Sequence, residues 1–187
     1  MAVFDEPATL EWHEEYLIIA ELNRTSLLSV TRLWEQVHSK QESRVAMLVG
    51  DPRLAHSRSN FGYWLRSMEK EWFIERRVDT LSLLARGRWL AVGNGRQYLA
   101  RANFLRSWVH SPCSSKNSVT LLVPGMESYG VSNKTAWMDG ECPACGQAFQ
   151  FHSLPAKWTK AEFTSFYNDA VSSLGLLLEV HGKHLAA

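Results

Sequence analysis

The chain has little cysteine, little net charge and no long apolar run, and each shortage excludes something. Three cysteines in 187 residues cannot build a disulfide framework, and their use points to a reducing, cytoplasmic setting. No stretch of 18 apolar residues exists, so nothing is expected to span a membrane. The start, Met1 to Glu6, has no basic region followed by an apolar run, so no leader is expected. No phosphate-binding glycine loop, G-x-S-x-G elbow or H-E-x-x-H motif occurs. Internal repeats and low-complexity tracts are also missing. A catalytic residue is therefore not assigned, and the expectation is a protein that is not an enzyme.

What is there begins with the same three cysteines. His110-Ser111-Pro112-Cys113 and Cys142-Pro143-Ala144-Cys145 are two knuckles, each with two residues between its ligand-bearing ends. Together they offer His110, Cys113, Cys142 and Cys145 to one tetrahedral ion, and Zn²⁺ suits that donor set. A closed set of four is usually structural, because no position is left for water or substrate. Gly146 follows the second knuckle, where a residue free to take positive φ relieves a tight turn. His152 is the alternative fourth ligand, and His110 is preferred because it completes the pairing. The competing readings are three buried reduced cysteines with two surface histidines, or a redox C-x-x-C pair.

The 28 residues between Cys113 and Cys142 read as a ribbon arm. Ser118–Val123 suggests a strand, Pro124-Gly125 a turn, and Thr135–Met138 a return strand. The polar stretch Glu127–Lys134 reads as a loop, where Asn133 and Lys134 are candidates for contacts to bases or phosphates.

The net charge of +1 hides a strong segregation. Residues 1–43 carry eight acids and three bases, for −5. Residues 44–106 carry eleven arginines and Lys70 against five acids, for +7. Residues 107–187 come to −1, and every arginine precedes Ser107. Arginine forks match phosphate oxygens, so Arg76, Arg77, Arg86, Arg88, Arg96 and Arg101 are the candidate nucleic-acid contacts. A solvated basic face is the plainer alternative. Eight tryptophans, several of them suited to an interface, favour protein partners as well.

Periodicity predicts helices over 9–22 and 27–40, separated by Asn23–Ser26 with residues suited to capping. A polar loop over 50–60 leads to a helix from about 60 to 85, with Phe61, Trp64, Leu65, Met68, Trp72 and Phe73 on a core stripe. Arg66, Lys70, Arg76 and Arg77 fall off that stripe. Gly93-Asn94-Gly95 predicts a basic β-hairpin over Arg88–Phe104. Thr159-Lys160-Ala161-Glu162 has capping-box spacing ahead of a last helix, whose apolar positions run from Phe163 to Leu178. The expected fold class is α+β: a mainly helical body with a β-hairpin, an inserted zinc-ribbon-like arm and a C-terminal helix. The expected divisions are 1–106, 107–152 and 153–187, with the last helix packing on the body or on a partner.

In size and in His110, Cys113, Cys142 and Cys145, the chain resembles the zinc-finger, large-subunit-like component of type IV CRISPR effector complexes. His110 stands where that pattern has cysteine. The resemblance implies a non-enzymatic subunit of a guide-RNA complex that contacts the short motif beside the target in duplex DNA. DNA or guide RNA and other protein subunits would be its partners. A more distant resemblance links it to the zinc-bearing partner of bacterial flagellar activators. The alternative function is a zinc-stabilised protein-interaction module, such as a transcriptional regulator or a phage or plasmid adaptor or inhibitor.

Overall fold

The computed structural model describes residues 13–51, 57–93, 95–131, 136–153 and 158–186, without side chains at 48, 49, 96 and 151–153. It is a mixed α+β fold of two compact units, Met1–Leu99 and Ala100–Ala187.

In the first unit, α1 (Glu14–Thr25) buries Leu17, Ile18, Ile19 and Leu22. It also buries Glu14, Glu15 and Glu21, which would be costly without partners. Tyr98 donates to the Glu15 carboxylate, and both Arg24 and Lys40 close on Glu21. Ser26 turns the chain at φ 64°, β1 (Leu28–Ser29) follows, and Ser29 caps α2 (Val30–Val49) by accepting from the Arg32 amide. Left-handed Gly50 ends that helix.

The predicted helix over 60–85 is corrected. Helix α3 (Arg58–Lys70) buries Phe61, Leu65 and Met68, then stops. Trp72 at φ 56° redirects the chain into a hairpin of β2 (Ile74–Arg77) and β3 (Thr80–Leu83). Ile74 faces Leu83 and Arg77 faces Thr80, while Leu28 of β1 pairs with Leu81. Burial of Leu81 and Leu83 alternates with half-exposed Thr80 and Ser82, which is a strand's period and not a helix's.

The predicted hairpin over Arg88–Phe104 is corrected too. That segment forms α4 (Ala85–Ala91) and most of α5 (Gly95–Trp108). Trp89 and Leu90 are buried on α4, and Tyr98, Ala102, Leu105 and Trp108 on α5. Gly93 takes φ 96° and breaks the helical run, so the glycine signal was real but the arms are helices.

In the second unit, a 3₁₀ turn (Ser111–Cys113) leads to β4 (Ser118–Thr120). β4 runs parallel to β8 (Glu179–His181). A three-stranded antiparallel sheet then forms from β5 (Val123–Val131), β6 (Ala136–Glu141) and β7 (Ala148–Ser153), with β6 central. Pro124-Gly125 is not a turn: it lies inside β5, opposite Gly140 and Asp139. Proline is tolerated there because β5 is an edge strand. The stretch Glu127–Val131 is likewise strand, and residues 132–135 lie outside the described set.

Helix α6 (Lys160–Gly175) starts with the predicted capping box, Thr159 and Glu162 each bonding the other's backbone. It ends at Gly175, short of the predicted Leu178, and Leu176 is exposed. Its Phe163 and Tyr167 pack on Trp108 and Phe104 of α5, with ring centroids 5.0 to 6.4 Å apart. All four rings are fully buried. Burying such side chains contributes about 2–3 kcal/mol each. The sheet packs close to the same rings: a Cβ on Gly140 would stand 3.3 Å from both Leu122 and Trp108.

Candidate metal centre

Each knuckle is built by local bonding. Trp108, the last residue of α5, accepts at its carbonyl from the Leu122 amide, and the next turn places His110 against β4. The His110 amide donates to Thr120 O at 2.9 Å, and the Cys113 amide donates to His110 O at 3.1 Å. Pro112 suits the first turn of this 3₁₀ helix, where an amide would be unused. Ser114 Oγ donates to His110 O, and Thr120 Oγ1 donates to Cys113 O at 2.7 Å. The second knuckle is the turn between β6 and β7. The Cys142 amide donates to Gln147 O, the Gly146 amide to Cys142 O, and Gly146 sits at φ 73°.

These two turns, 28 residues apart in sequence, bring four ligand atoms together. The donors of His110, Cys113, Cys142 and Cys145 all lie within 4.8 Å of one another. His110 Nδ1 is 3.1 Å from Cys142 Sγ and 3.8 Å from Cys145 Sγ. A tetrahedral zinc with sulfur at about 2.3 Å and nitrogen at about 2.0 Å spaces its ligands roughly 3.5–3.8 Å apart. The cluster therefore fits a metal ion such as zinc in both chemistry and size. His110 and Cys142 are buried, Cys113 is half-buried and Cys145 is exposed. Phe149 of β7 sets its ring edge-on to His110, with centroids 5.1 Å apart.

The sulfurs shift one another's titration. Burial pushes the Cys142 thiol up, but the amides of Cys145 and Ala144 aim at its sulfur and bring it from 9.0 down to about 7. Cys113 is pushed up to about 11, first by burial and then by the neighbouring Cys145 and Cys142 sulfurs. One thiolate forms readily and the next resists. A divalent cation removes that resistance.

The other predicted site residues are not gathered in one place. Arg76 is exposed and forks onto Glu69 at 3.0 and 3.3 Å, and Arg77 bonds Glu75 at 2.9 Å. Arg86 is buried, contrary to a surface role. Its guanidinium lies 4.9 Å over the Trp72 ring and donates to Glu71 O, and burial pulls its pKa down to about 10 against the pull of Glu71. Arg88 donates to Leu83 O at 3.0 Å, which fixes α4 to the hairpin. Burial lowers Arg101, with Asp169 opposing, in the second unit. Asn133 and Lys134 lie outside the described residues, as does the side chain of Arg96. His152 of β7 pairs with Met138 of β6, and its side chain is also outside the described set.

Thr120, Ser114 and Phe149, which hold the ligands in place, were not anticipated. Alternation of apolar and polar residues from Phe149 to His152, shortly after the second knuckle, was the signal for β7. No family model matches the chain, and neither a curated protein nor a solved structure matches it. Among the described residues, no helix is long and apolar enough to cross a membrane.

Proposed function

We propose that the chain is a non-enzymatic interaction subunit. In this reading one Zn²⁺, held by His110, Cys113, Cys142 and Cys145, braces the sheet of the second unit as a rigid binding surface. The observation that carries this is the convergence of four ligand atoms within 4.8 Å from two separate turns. With four protein donors, no coordination position remains for a water to be activated. Glu141 neighbours the site in sequence but has no open metal position to serve. Protein partners are favoured over nucleic acid as the main ligand, because Arg86 and Arg88 are committed to internal contacts. Metal analysis of the purified chain tests the brace. One zinc per chain, bound more weakly in His110→Ala and as in the parent in His152→Ala, is the expected result; no bound metal would end the reading.

A second reading, a nucleic-acid-binding subunit of a ribonucleoprotein of the CRISPR effector kind, has its own support. Arg58, Tyr63, Arg66 and Lys70 of α3 and Arg76 and Arg77 of β2 are all exposed. Exposed basic residues with an aromatic beside them suit phosphate contact and stacking. Duplex affinity that falls steeply with salt would favour it. Salt-independent or undetectable binding would remove it.

A further inference from the structure

The first knuckle hangs on one buried residue of β4. The Thr120 carbonyl accepts from the His110 amide at 2.9 Å, and its hydroxyl donates to Cys113 O at 2.7 Å. The Thr120 amide donates to Ser114 Oγ, which itself donates to His110 O. Both candidate ligands of that turn therefore follow the position of Thr120. Among the described residues, β8 is the one strand in a sheet with β4, and it sets His181 opposite Thr120. The Glu179 amide donates to Asn117 O at 3.0 Å and the Leu121 amide to His181 O at 2.8 Å, one bond beyond each end of β4.

Polar contacts, more than burial, hold β8 and the residues after it. Glu179, His181, Lys183 and His184 are exposed, and Val180 and Leu185 are only half-buried. The far end is fastened to α6, where Asn168 and Ser172 stand four residues apart on one side of the helix. The Asn168 carboxamide meets the backbone of Leu185 as a neighbouring strand would. Its Nδ2 donates to Leu185 O at 2.9 Å, and its Oδ1 accepts from the Leu185 amide at 2.7 Å. Ser172 Oγ lies 2.9 Å from His184 Nε2. The helix under this latch is fixed, because Phe163 and Tyr167 are buried and Tyr167 donates to Leu122 O at 2.8 Å. A short strand with little buried apolar area opens locally at a lower cost than such a core.

We propose that Glu179–Leu185 is a releasable strap on the metal centre, latched to α6 by Asn168, and that its docking sets how tightly the first knuckle holds zinc. The inference rests on the zinc reading of the site. With the strap docked, β8 holds Thr120, and Thr120 holds His110 and Cys113 in place. With the strap released, the second knuckle keeps its two cysteines, but the first must be ordered at the moment of binding. Apparent affinity then depends on the docked fraction, and by reciprocity zinc favours docking.

Amide hydrogen exchange over residues 179–185 of the full chain, with zinc bound and with zinc chelated, tests the coupling. Zinc should slow exchange there by roughly tenfold. Asn168→Ala should speed exchange over the same residues, with α6 as protected as in the parent. A chain ending at Leu178 should bind zinc more weakly, in competition with a chromophoric chelator, by about the factor that zinc slows exchange in the full chain. Should the shortened chain not fold, the two exchange readings decide. Zinc bound with exchange over 179–185 unchanged, or a folded shortened chain with parental zinc affinity, would overturn the strap while leaving the metal centre. Unchanged exchange in Asn168→Ala would overturn the latch. A full chain that binds no zinc would end the metal reading and the strap's role with it.

Discussion

Cys142 and Cys145 belong to the same knuckle but do different work. Cys142 is fully buried and its sulfur accepts from two backbone amides, whereas Cys145 is exposed. Both variants to alanine lose a metal ligand. Cys142→Ala also strands the amides of Ala144 and Cys145, and should cost about 1–3 kcal/mol more in stability. Denaturant unfolding of the two zinc-treated variants would show the gap; equal losses would mean that the amides are not part of the site. At this scale the sequence was most informative, because C-x-x-C and H-x-x-C spacing states which atoms can reach one ion. The fate of the arginines was not legible. Whether Arg86 meets phosphate or stacks on Trp72 depends on where α4 lands, and no local pattern carries that.

Elements were legible where one signal ruled and obscure where two competed. The capping box before α6 and the stripe of Phe61, Leu65 and Met68 on α3 stand as the pattern indicates. Gly93-Asn94-Gly95 was misread, because a residue at positive φ serves a break between helices as well as a hairpin. The apolar residues Phe73, Ile74, Leu81 and Leu83 extend a helical stripe on paper, yet two of them pair across β2 and β3. Close packing between these elements makes a sharp prediction. Glycine to alanine inside a helix normally stabilises by about 1 kcal/mol. In α4, a Cβ on Gly87 would stand 2.1 Å from the carbonyl oxygen of Phe73, a backbone atom that cannot swing aside. Gly87→Ala should therefore destabilise by about 2 kcal/mol or more, visible as a lowered Tm. A variant as stable as the parent would show that α4 does not sit on this hairpin.

For the whole molecule, the fold class was legible from helical stripes, turn signals and the ribbon arm together. The division at Leu99–Ala100 runs through α5, where periodicity gives no sign of a boundary. The two units also differ in what holds them. The first buries an apolar core with Glu15 and Glu21 held by partners, and the second adds the four candidate metal ligands. Removing the ion should then act unevenly. Hydrogen exchange with and without a chelator should show protection lost across β4 to β7 and the 3₁₀ turn, with α1 to α3 little changed. Uniform loss across both units would argue against zinc as a local brace.

The central claim is a single ion held by three sulfurs and one imidazole nitrogen, and X-ray absorption at the zinc edge reads that set directly. The prediction is one zinc per chain with three sulfurs near 2.3 Å and one nitrogen at about 2.0–2.1 Å, and loss of that nitrogen in His110→Ala. A shell with fewer sulfurs, or a nitrogen that persists without His110, would contradict it.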